Sequence, residues 1–327
     1  MVTMLEVKNI SFSYNEDKKN IEGLSFNLEQ GKMLALIGES GSGKSTILKL
    51  IYGMLEWQEG EIYYNHRKLS GMKGNLVPGE PEFKYLEQEF GLDSYATVGD
   101  NVGRFLSNID MDEKQERIFF LLDLVEMSSF IETKCIHLSG GQKQRVALAK
   151  VLAQTPSLLL LDEPFSQVDT FKKNILKRAV FDFAKENNIS ILLATHEIED
   201  ALAYADEMVI IKDGKIVQKN KPSYLYKNPV NEYVARLFGE INIFTKENFP
   251  ELFKGIEATK ILVYPHQLYA EEEGELQVKV LKSYFLGSSY LVEAIGQRKR
   301  IWFSSEDYYA IGESCVLQIH DYQILRE

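Results

Sequence analysis

The feature that most constrains the fold is a glycine-rich segment that follows a short apolar run. The run Leu34–Ile37 ends at Gly38, and Gly38-Glu-Ser-Gly-Ser-Gly43-Lys44-Ser45-Thr46 follows directly. An apolar run of this length predicts a buried strand, and the Ser/Thr-led residues after the glycines predict a helix. The segment fits the pattern G-x-x-x-x-G-K-[ST], in which glycines let backbone N–H groups surround phosphate oxygens. The sequence therefore predicts a strand, a phosphate-binding loop that includes Ser40, Gly41 and Thr46, and a helix, in that order.

Two further apolar runs stop abruptly at polar residues. Leu158–Leu161 is followed by Asp162, and Ile189–Ala194 is followed two residues later by His196. Such runs are typical of buried parallel strands whose C-terminal ends carry chemistry. Segments of helical length and spacing lie between the runs, namely Gln142–Leu152 and Phe171–Glu186. We therefore expect an α/β domain built on a mixed, largely parallel sheet.

The residues at these strand ends suggest phosphoryl chemistry. Lys44 can reach the β- and γ-phosphates of a nucleotide, and Ser45 offers a hydroxyl to Mg²⁺. Asp162, at the end of a buried strand, is a candidate Mg²⁺ ligand, and Glu163 next to it is a candidate general base for an attacking water. His196 stands at a third predicted strand end, where its spacing fits a structural histidine and a catalytic one equally well.

Composition excludes several other classes of protein. The 327 residues contain 37 Lys and Arg against 48 Asp and Glu, a net charge of −11, so we expect no nucleic-acid partner. The only cysteines, Cys135 and Cys315, cannot form a disulfide framework or a four-thiolate zinc site. The five histidines show no metal-ligand spacing.

The spacing of apolar residues and glycines changes at about residue 240. Leu276, Val278 and Val280 alternate with polar residues, and turn-like glycines such as Gly287 and Gly312 separate short segments. This pattern is typical of a small all-β domain. Before it, residues 221–239 look like a junction, which we interpret as a turn and then a helix from about residue 231. We therefore predict two domains, residues 1–239 and residues 240–327.

A second motif identifies a family. Leu138-Ser139-Gly140-Gly141-Gln142-Lys143-Gln144-Arg145, called the signature segment below, resembles the LSGGQ signature of ATP-binding cassette (ABC) ATPases. It follows a phosphate-binding loop and precedes the Asp-Glu strand, and the resemblance extends over residues 1 to about 240. It implies a P-loop NTPase fold of the ABC type, with a helical subdomain at about residues 90–139.

The resemblance also implies roles for individual residues. Tyr14 looks like the aromatic residue that stacks on adenine, and Asp169 matches the short loop after the catalytic carboxylate. Gln88 matches the glutamine between the core and helical subdomains, which implies a place beside Mg²⁺ and the attacking water. His196 matches the family's switch histidine. The resemblance also implies that part of the signature segment contacts the nucleotide bound to a second subunit. These residues are Ser139, Gly140, Gly141 and Gln142.

The partners implied by the resemblance are ATP, Mg²⁺, a second copy of the chain and a polytopic membrane permease, and the implied location of this subunit is peripheral, at the cytoplasmic face of the inner membrane. Arg236-Leu-Phe-Gly239-Glu-Ile-Asn242 is similar to the junction in importers of the maltose, polyamine and ferric-iron groups, and the β segments after it resemble their oligonucleotide-binding-like (TOBE) domain. This indicates an importer, with ferric iron or a polyamine as the substrate and a substrate-binding protein as a further partner. The alternatives are an exporter or lipid-handling complex, or a soluble ABC protein without a transport role.

Overall fold

The computed structural model describes residues 3–15, 19–74 and 77–325. The chain divides into two compact units, Met1–Pro222 and Ser223–Glu327. Within the described residues, the strands of the first unit are β1 (Thr3–Phe12), β2 (Ile21–Glu29), β3 (Met33–Ile37), β4 (Glu59–Tyr64), β5 (Arg67–Lys68), β6 (Phe83–Leu86), β7 (Leu158–Asp162), β8 (Ser190–Thr195), β9 (Glu207–Lys212) and β10 (Lys215–Asn220). Its helices are α1 (Lys44–Tyr52), α2 (Val98–Gly103), α3 (Met111–Leu124), α4 (Gly140–Leu152), α5 (Thr170–Glu186) and α6 (Ile198–Tyr204).

The central sheet of the first unit is mixed and largely parallel, as the sequence predicted. Its strand order is β10-β9-β3-β8-β7-β6, in which only the β10–β9 pair is antiparallel. A second, antiparallel sheet has the order β2-β1-β4-β5. The strands β3, β7 and β8 are buried at every position and mostly apolar because both of their faces are covered. In β7, for example, Leu158 and Leu160 pack into one core cluster, and Leu159 and Leu161 pack into the other.

The register of the central sheet brings three strand ends to one edge. Ile37 at the end of β3 pairs with Thr195 of β8, and Ala194 of β8 pairs with Asp162 of β7. Because these strands are parallel, the residues that follow each of them leave the sheet at the same edge. The loop after β3, the acidic pair at the end of β7 and His196 are therefore neighbours.

The helices α2 and α3 lie between the sheet strands β6 and β7 in the sequence, inside the stretch where a helical subdomain was expected. Thr97 caps α2 with a capping box that includes Asp100, and Asp110 caps α3 through the N–H groups of Asp112 and Glu113. Such side-chain caps satisfy backbone donors that a helix leaves unpaired at its start. No described helix is long and apolar enough to cross a lipid bilayer.

The second unit is mainly antiparallel β-structure preceded by two short helices. The helices are α7 (Pro222–Lys227), whose first residue closes the first unit, and α8 (Glu232–Leu237). The strands are β11 (Asn242–Thr245), β12 (Lys260–Val263), β13 (Leu268–Glu271), β14 (Leu276–Phe285), β15 (Tyr290–Gly296), β16 (Lys299–Ser305), β17 (Ser314–Ile319) and β18 (Gln323–Ile324). They form a sheet of order β13-β17-β14-β15-β16 and another of order β11-β12-β18. The inward residues Leu276, Val278 and Val280 of β14 lie in its core, as their alternation predicted.

The junction differs from its sequence-based interpretation in one respect. The turn expected before residue 231 is a helix, α7, which begins at Pro222. Proline is favoured at the first position of a helix because its missing N–H is not needed there. In the second unit, Ala235 on α8 packs in one cluster with Leu262 and Tyr264. The helix predicted from residue 231 thus packs on the β-structure, and the compact units divide 17 residues before residue 239.

Candidate functional site

The glycine-rich loop joins β3 to α1 and leaves the start of the helix open to a ligand. Gly43 precedes α1 with a φ of 107°, in the left-handed region that favours glycine. No side chain caps this end of the helix. The first-turn N–H groups and the positive end of the helix dipole are therefore free of a capping side chain, an arrangement that suits a phosphate.

Lys44 turns its ammonium group back over the loop. Its Nζ donates to the carbonyl oxygens of Gly38 (2.7 Å) and Glu39 (3.0 Å). Burial lowers the pKa of Lys44, and the negative charges of Glu163 and Asp162 partly oppose this shift. Among the residues that the structure describes, the hydrogen-bond acceptors of this buried ammonium group are neutral carbonyls, and phosphate oxygens would be stronger acceptors for it.

Ser45 and Asp162 offer two oxygen atoms to a cation. The Oγ of Ser45 donates to Oδ1 of Asp162 at 2.9 Å, and the hydroxyl of Tyr85 donates to Oδ2 at 3.1 Å. Burial raises the pKa of Asp162, whereas the two hydroxyl donors act against that shift. Neighbouring ligands of an octahedral Mg²⁺, each at roughly 2.1 Å, lie about 3 Å apart. The chemistry and spacing of this pair therefore fit Mg²⁺.

Glu163 and His196 meet at the edge of the sheet. Oε1 of Glu163 lies 3.0 Å from Nδ1 of His196. The backbone of Glu163 has a φ of 49°, which is uncommon for a residue other than glycine. Its N–H donates to the carbonyl of Ala194 at 2.9 Å, which ties the loop after β7 to the end of β8. A candidate general base, Glu163, therefore lies in hydrogen-bonding contact with the imidazole of His196.

The loop opens into a cavity of about 330 Å³ that collects most of the predicted site residues. Its lining comprises Tyr14, Asn20, Ser40, Gly41, Gly43, Lys44, Ser45, Thr46, Gln88 and Glu163. Tyr14 is 54% exposed, and its hydroxyl lies 3.3 Å from Oγ1 of Thr46. An exposed aromatic ring beside a phosphate-binding loop is available to stack on a nucleotide base.

The signature segment is absent from this lining in the part of the chain that the structure describes. Ser139 caps α4 through a capping box: its Oγ accepts from the Gln142 N–H at 3.3 Å, and Oε1 of Gln142 accepts from the Ser139 N–H at 2.8 Å. Gly140 and Gly141 form the first turn of that helix. Asp169 precedes α5 and is exposed. One copy of the chain thus does not line its own cavity with Ser139–Gln142 or Asp169.

Three residues at or near the site were not predicted from the sequence. Asn20 lines the cavity, and its Oδ1 accepts from the Tyr14 N–H at 2.9 Å. Tyr85 donates to Asp162, and burial together with the Asp162 charge raises the pKa of its phenol. Gln144 reaches the backbone of Glu163 from α4. Only Gln144 lay within a recognised motif, and nothing in the sequence distinguished its role.

These features define a class of protein, the nucleotide-binding proteins that hold phosphates in a loop between a parallel strand and a helix. Comparison with known proteins narrows this class. Residues 21–166 match the sequence model of the ABC transporter family. Residues 21–166 therefore have the sequence of a domain of the type found in ABC transporter ATPases, which bind and hydrolyse ATP.

Solved structures agree with this assignment. One is described as the dimeric, post-hydrolysis state of the ATP-binding cassette MJ0796 bound to ADP and Pi, at 25% identity and a TM-score of 0.59, covering 67% of this chain and 99% of that one. Another is cbiO1 from Clostridium perfringens, described as part of the ABC transporter complex cbiONQ, at 23% identity and a TM-score of 0.60, covering 77% of this chain and 98% of that one.

Proposed function

We propose that the chain is the ATP-hydrolysing subunit of an ABC import transporter, and that two copies bind two ATP molecules head to tail. The observation that carries this proposal is the lining of the phosphate-loop cavity, which lacks the signature segment among the described residues. A complete nucleotide site then needs Ser139–Gln142 from a second copy. The dimeric description of the cassette MJ0796 with ADP and Pi supports this arrangement.

Each side chain has a defined task in this proposal. Lys44 exchanges its carbonyl partners for phosphate oxygens, and Tyr14 stacks on the base. Ser45, Asp162 and Gln88 would hold Mg²⁺, which would supply positive charge to the phosphates.

Glu163 accepts the proton of the attacking water, because its carboxylate lies in the cavity and its backbone is fixed to β8. His196, in contact with that carboxylate, orients it toward the γ-phosphate. Gln88 lines the same cavity and contacts the attacking water. Gly140 and Gly141 of the second copy donate N–H groups to the γ-phosphate, Ser139 and Gln142 support them, and Asp169 contacts the opposite copy.

The C-terminal part of the chain makes an importer the preferred type. Its antiparallel five-stranded sheet is compatible with an oligonucleotide-binding-like (TOBE) domain at residues 240–327, next to an ATPase domain at residues 1–239. The resemblance of the Arg236–Asn242 junction favours ferric iron or a polyamine as the substrate. The domain stabilises the dimer, or alternatively binds a small regulator.

The proposed place of the subunit is the cytoplasmic face of the inner membrane, attached to a polytopic permease and working with a substrate-binding protein. The description of cbiO1 as part of a transporter complex supports a membrane-bound partner. Closure of two copies around ATP shifts a conformational equilibrium, which does mechanical work only when another protein is attached to it.

A pull-down from detergent-solubilised membranes tests the assembly. Tagged Glu163→Gln protein with Mg²⁺ and ATP is expected to be held in the closed dimer and to recover a polytopic permease, whereas Lys44→Ala is expected to recover less because it binds ATP poorly. A substrate-binding protein in the same complex supports an importer, and its absence supports an exporter. Recovery of soluble partners alone contradicts the transporter role.

A further inference from the structure

Gln144 has a buried side chain that links α4, the helix that begins in the signature segment, to the loop carrying Glu163. It lies on α4, two residues after the capping box, and is 2% exposed. Its Nε2 donates to the carbonyl oxygen of Glu163 at 3.1 Å, and its Oε1 accepts from the N–H of Gln167 at 2.8 Å. Both ends of the carboxamide are therefore bonded to the segment after β7, so the side chain joins two elements far apart in the sequence.

The backbone that Gln144 contacts is in an unfavourable conformation. Glu163 has a φ of 49° and precedes Pro164, which restricts its backbone further. Residues in such conformations persist only where their surroundings hold them. The Glu163 carbonyl also accepts from the Ser166 N–H at 3.3 Å, a longer contact than that from Gln144. Gln144 is thus the closer donor to this carbonyl.

The start of α4 also packs directly on the same loop. A Cβ added at Gly141 would lie 2.6 Å from the carbonyl oxygen of Gln167, closer than real Cβ contacts come. The helix and the loop are therefore in backbone contact at Gly141, and Gln144 forms hydrogen bonds one turn further along. A change in the position of α4 would move the backbone of Glu163 with it.

We propose that Gln144 is a positioning residue for the hydrolysis reaction: its carboxamide fixes the backbone of Glu163 so that the carboxylate faces the cavity and His196. Gln144 does not line the cavity and does not act on ATP directly. The inference rests on the proposed role of Glu163 as the general base. It adds that α4 of each copy sets the position of the Glu163 carboxylate in the same copy.

Gln144→Glu tests the donor half of the interaction. The substitution keeps the length of the side chain and the acceptor for Gln167, but it removes the N–H donor to the Glu163 carbonyl. A misplaced general base costs a large factor in rate, so kcat should fall about tenfold to a hundredfold. ATP affinity, measured by equilibrium binding, should stay within about threefold because the cavity lining is unchanged.

A pH series separates positioning from general damage. Protonation of the introduced carboxyl restores a donor, so the ratio of variant to parent kcat should rise as the pH falls. Gln144→Met removes donor and acceptor together and should lower kcat without this pH-dependent recovery. It also keeps the test valid if Gln144→Glu is too unstable to purify. A ratio for Gln144→Glu that stays constant with pH contradicts the proposal.

The matched control is Asn242→Asp in the second unit. Asn242 is also a buried carboxamide that bonds to backbone at both ends, with Nδ2 to the carbonyl of Trp302 at 2.7 Å and Oδ1 to the Trp302 N–H at 2.7 Å. It should lower thermal stability but leave kcat unchanged. Loss of kcat in this control equal to that in Gln144→Glu would overturn the proposal, because the effect would then be general.

A double-variant cycle distinguishes this inference from the role of Glu163. If Glu163→Gln alone leaves hydrolysis at the parent rate, the proposed function fails and this inference fails with it. If Glu163→Gln abolishes hydrolysis but Gln144→Glu keeps the parent kcat, only the inference fails. The expected result is that Gln144→Glu adds less than about twofold to the loss already caused by Glu163→Gln, because both act on one group.

Discussion

The first unit has a group of polar side chains at one edge of a parallel sheet, whereas polar side chains such as Asn242 and Glu293 join neighbouring strands in the second unit. In the first unit, Ser45, Asp162 and Tyr85 form one hydrogen-bonded group beside the loop that holds Lys44. In the second unit, Asn242 bonds to the backbone of Val263 and Trp302, and Glu293 bonds to Arg300 at 2.7 Å. Similar residue types therefore form the proposed catalytic site in one unit and connect strands in the other.

The direction of the strands explains the difference. In a parallel sheet all carboxyl ends share an edge, so residues that follow β3, β7 and β8 converge although they are far apart in the sequence. In an antiparallel sheet successive ends alternate between two edges, and inward and outward residues alternate along each strand. Polar residues at the ends of successive strands therefore do not converge on one edge.

Lys44→Ala is expected to have the largest effect on the first unit. Removing a buried cation that would contact phosphate should weaken ATP binding roughly 100-fold. The measurement is equilibrium titration with a fluorescent ATP analogue, with Arg300→Ala in the second unit as the control that should keep the parent affinity. Equal affinities for Lys44→Ala and the parent would contradict phosphate binding by the loop after β3.

His196→Ala should affect the rate and not the affinity. Its Nδ1 contacts Glu163 at 3.0 Å, so its loss should leave the carboxylate free to rotate. We expect kcat to fall about tenfold to a hundredfold, with ATP binding within about threefold of the parent. Steady-state hydrolysis combined with equilibrium binding measures both quantities. A change confined to affinity would assign His196 to nucleotide binding alone.

Asp162→Asn should separate function from stability. Burial raises the pKa of Asp162, so its charged form costs folding free energy, and the protein loses that stability as the pH rises through the raised pKa. In the absence of nucleotide the variant should therefore be more stable than the parent near neutral pH, with a higher Tm.

Calorimetry between pH 4 and pH 8 tests this expectation, in a range set by the ordinary pKa of Asp, about 3.9. The gain should be smaller at the acidic end, where a larger fraction of Asp162 in the parent is protonated, and should increase as the pH rises. Hydrolysis by the same variant should be lost because a proposed Mg²⁺ ligand is gone. If Asp162→Asn had a lower Tm than the parent at neutral pH, the Asp162 carboxylate would be shown to stabilise the nucleotide-free protein.

Glu293→Gln should have the smallest effect. Its partner Arg300 has a side chain that is 73% exposed, so solvent screens the charge pair although the Glu293 carboxylate is buried, and glutamine can still accept a hydrogen bond from Arg300. Hydrolysis should be unchanged and unfolding free energy should shift by less than about 1 kcal/mol in urea titrations. A large loss of hydrolysis would contradict the division of roles between the two units.

The sequence was sufficient for the parts of the site that depend on local pattern. The loop after β3 could be predicted because glycine spacing and the flanking apolar run are both local, and Asp162 could be placed at a strand end for the same reason. Contact between Glu163 and His196 depends on strand order. The residues alone left the role of His196 open, and the family resemblance decided it.

Other features depend on packing between distant segments, which no local pattern records. Tyr85 reaches Asp162 because β6 lies beside β7, and Gln144 reaches Glu163 because α4 packs against the loop after β7. The contact between α8 and Tyr264, almost thirty residues later, is of the same kind. Propensity and periodicity carry no information on such pairings.

The role of Glu163 as the general base is tested most directly by comparing the parent with Glu163→Gln. The quantities to measure are the rate of Mg²⁺-dependent ATP hydrolysis and the affinity for ATP. General-base catalysis typically contributes a factor of 10² to 10⁴, so kcat should fall by about that much while ATP still binds. Light scattering should then show a dimer held together by ATP in the variant. A Glu163→Gln protein that hydrolyses ATP at the parent rate would contradict the account.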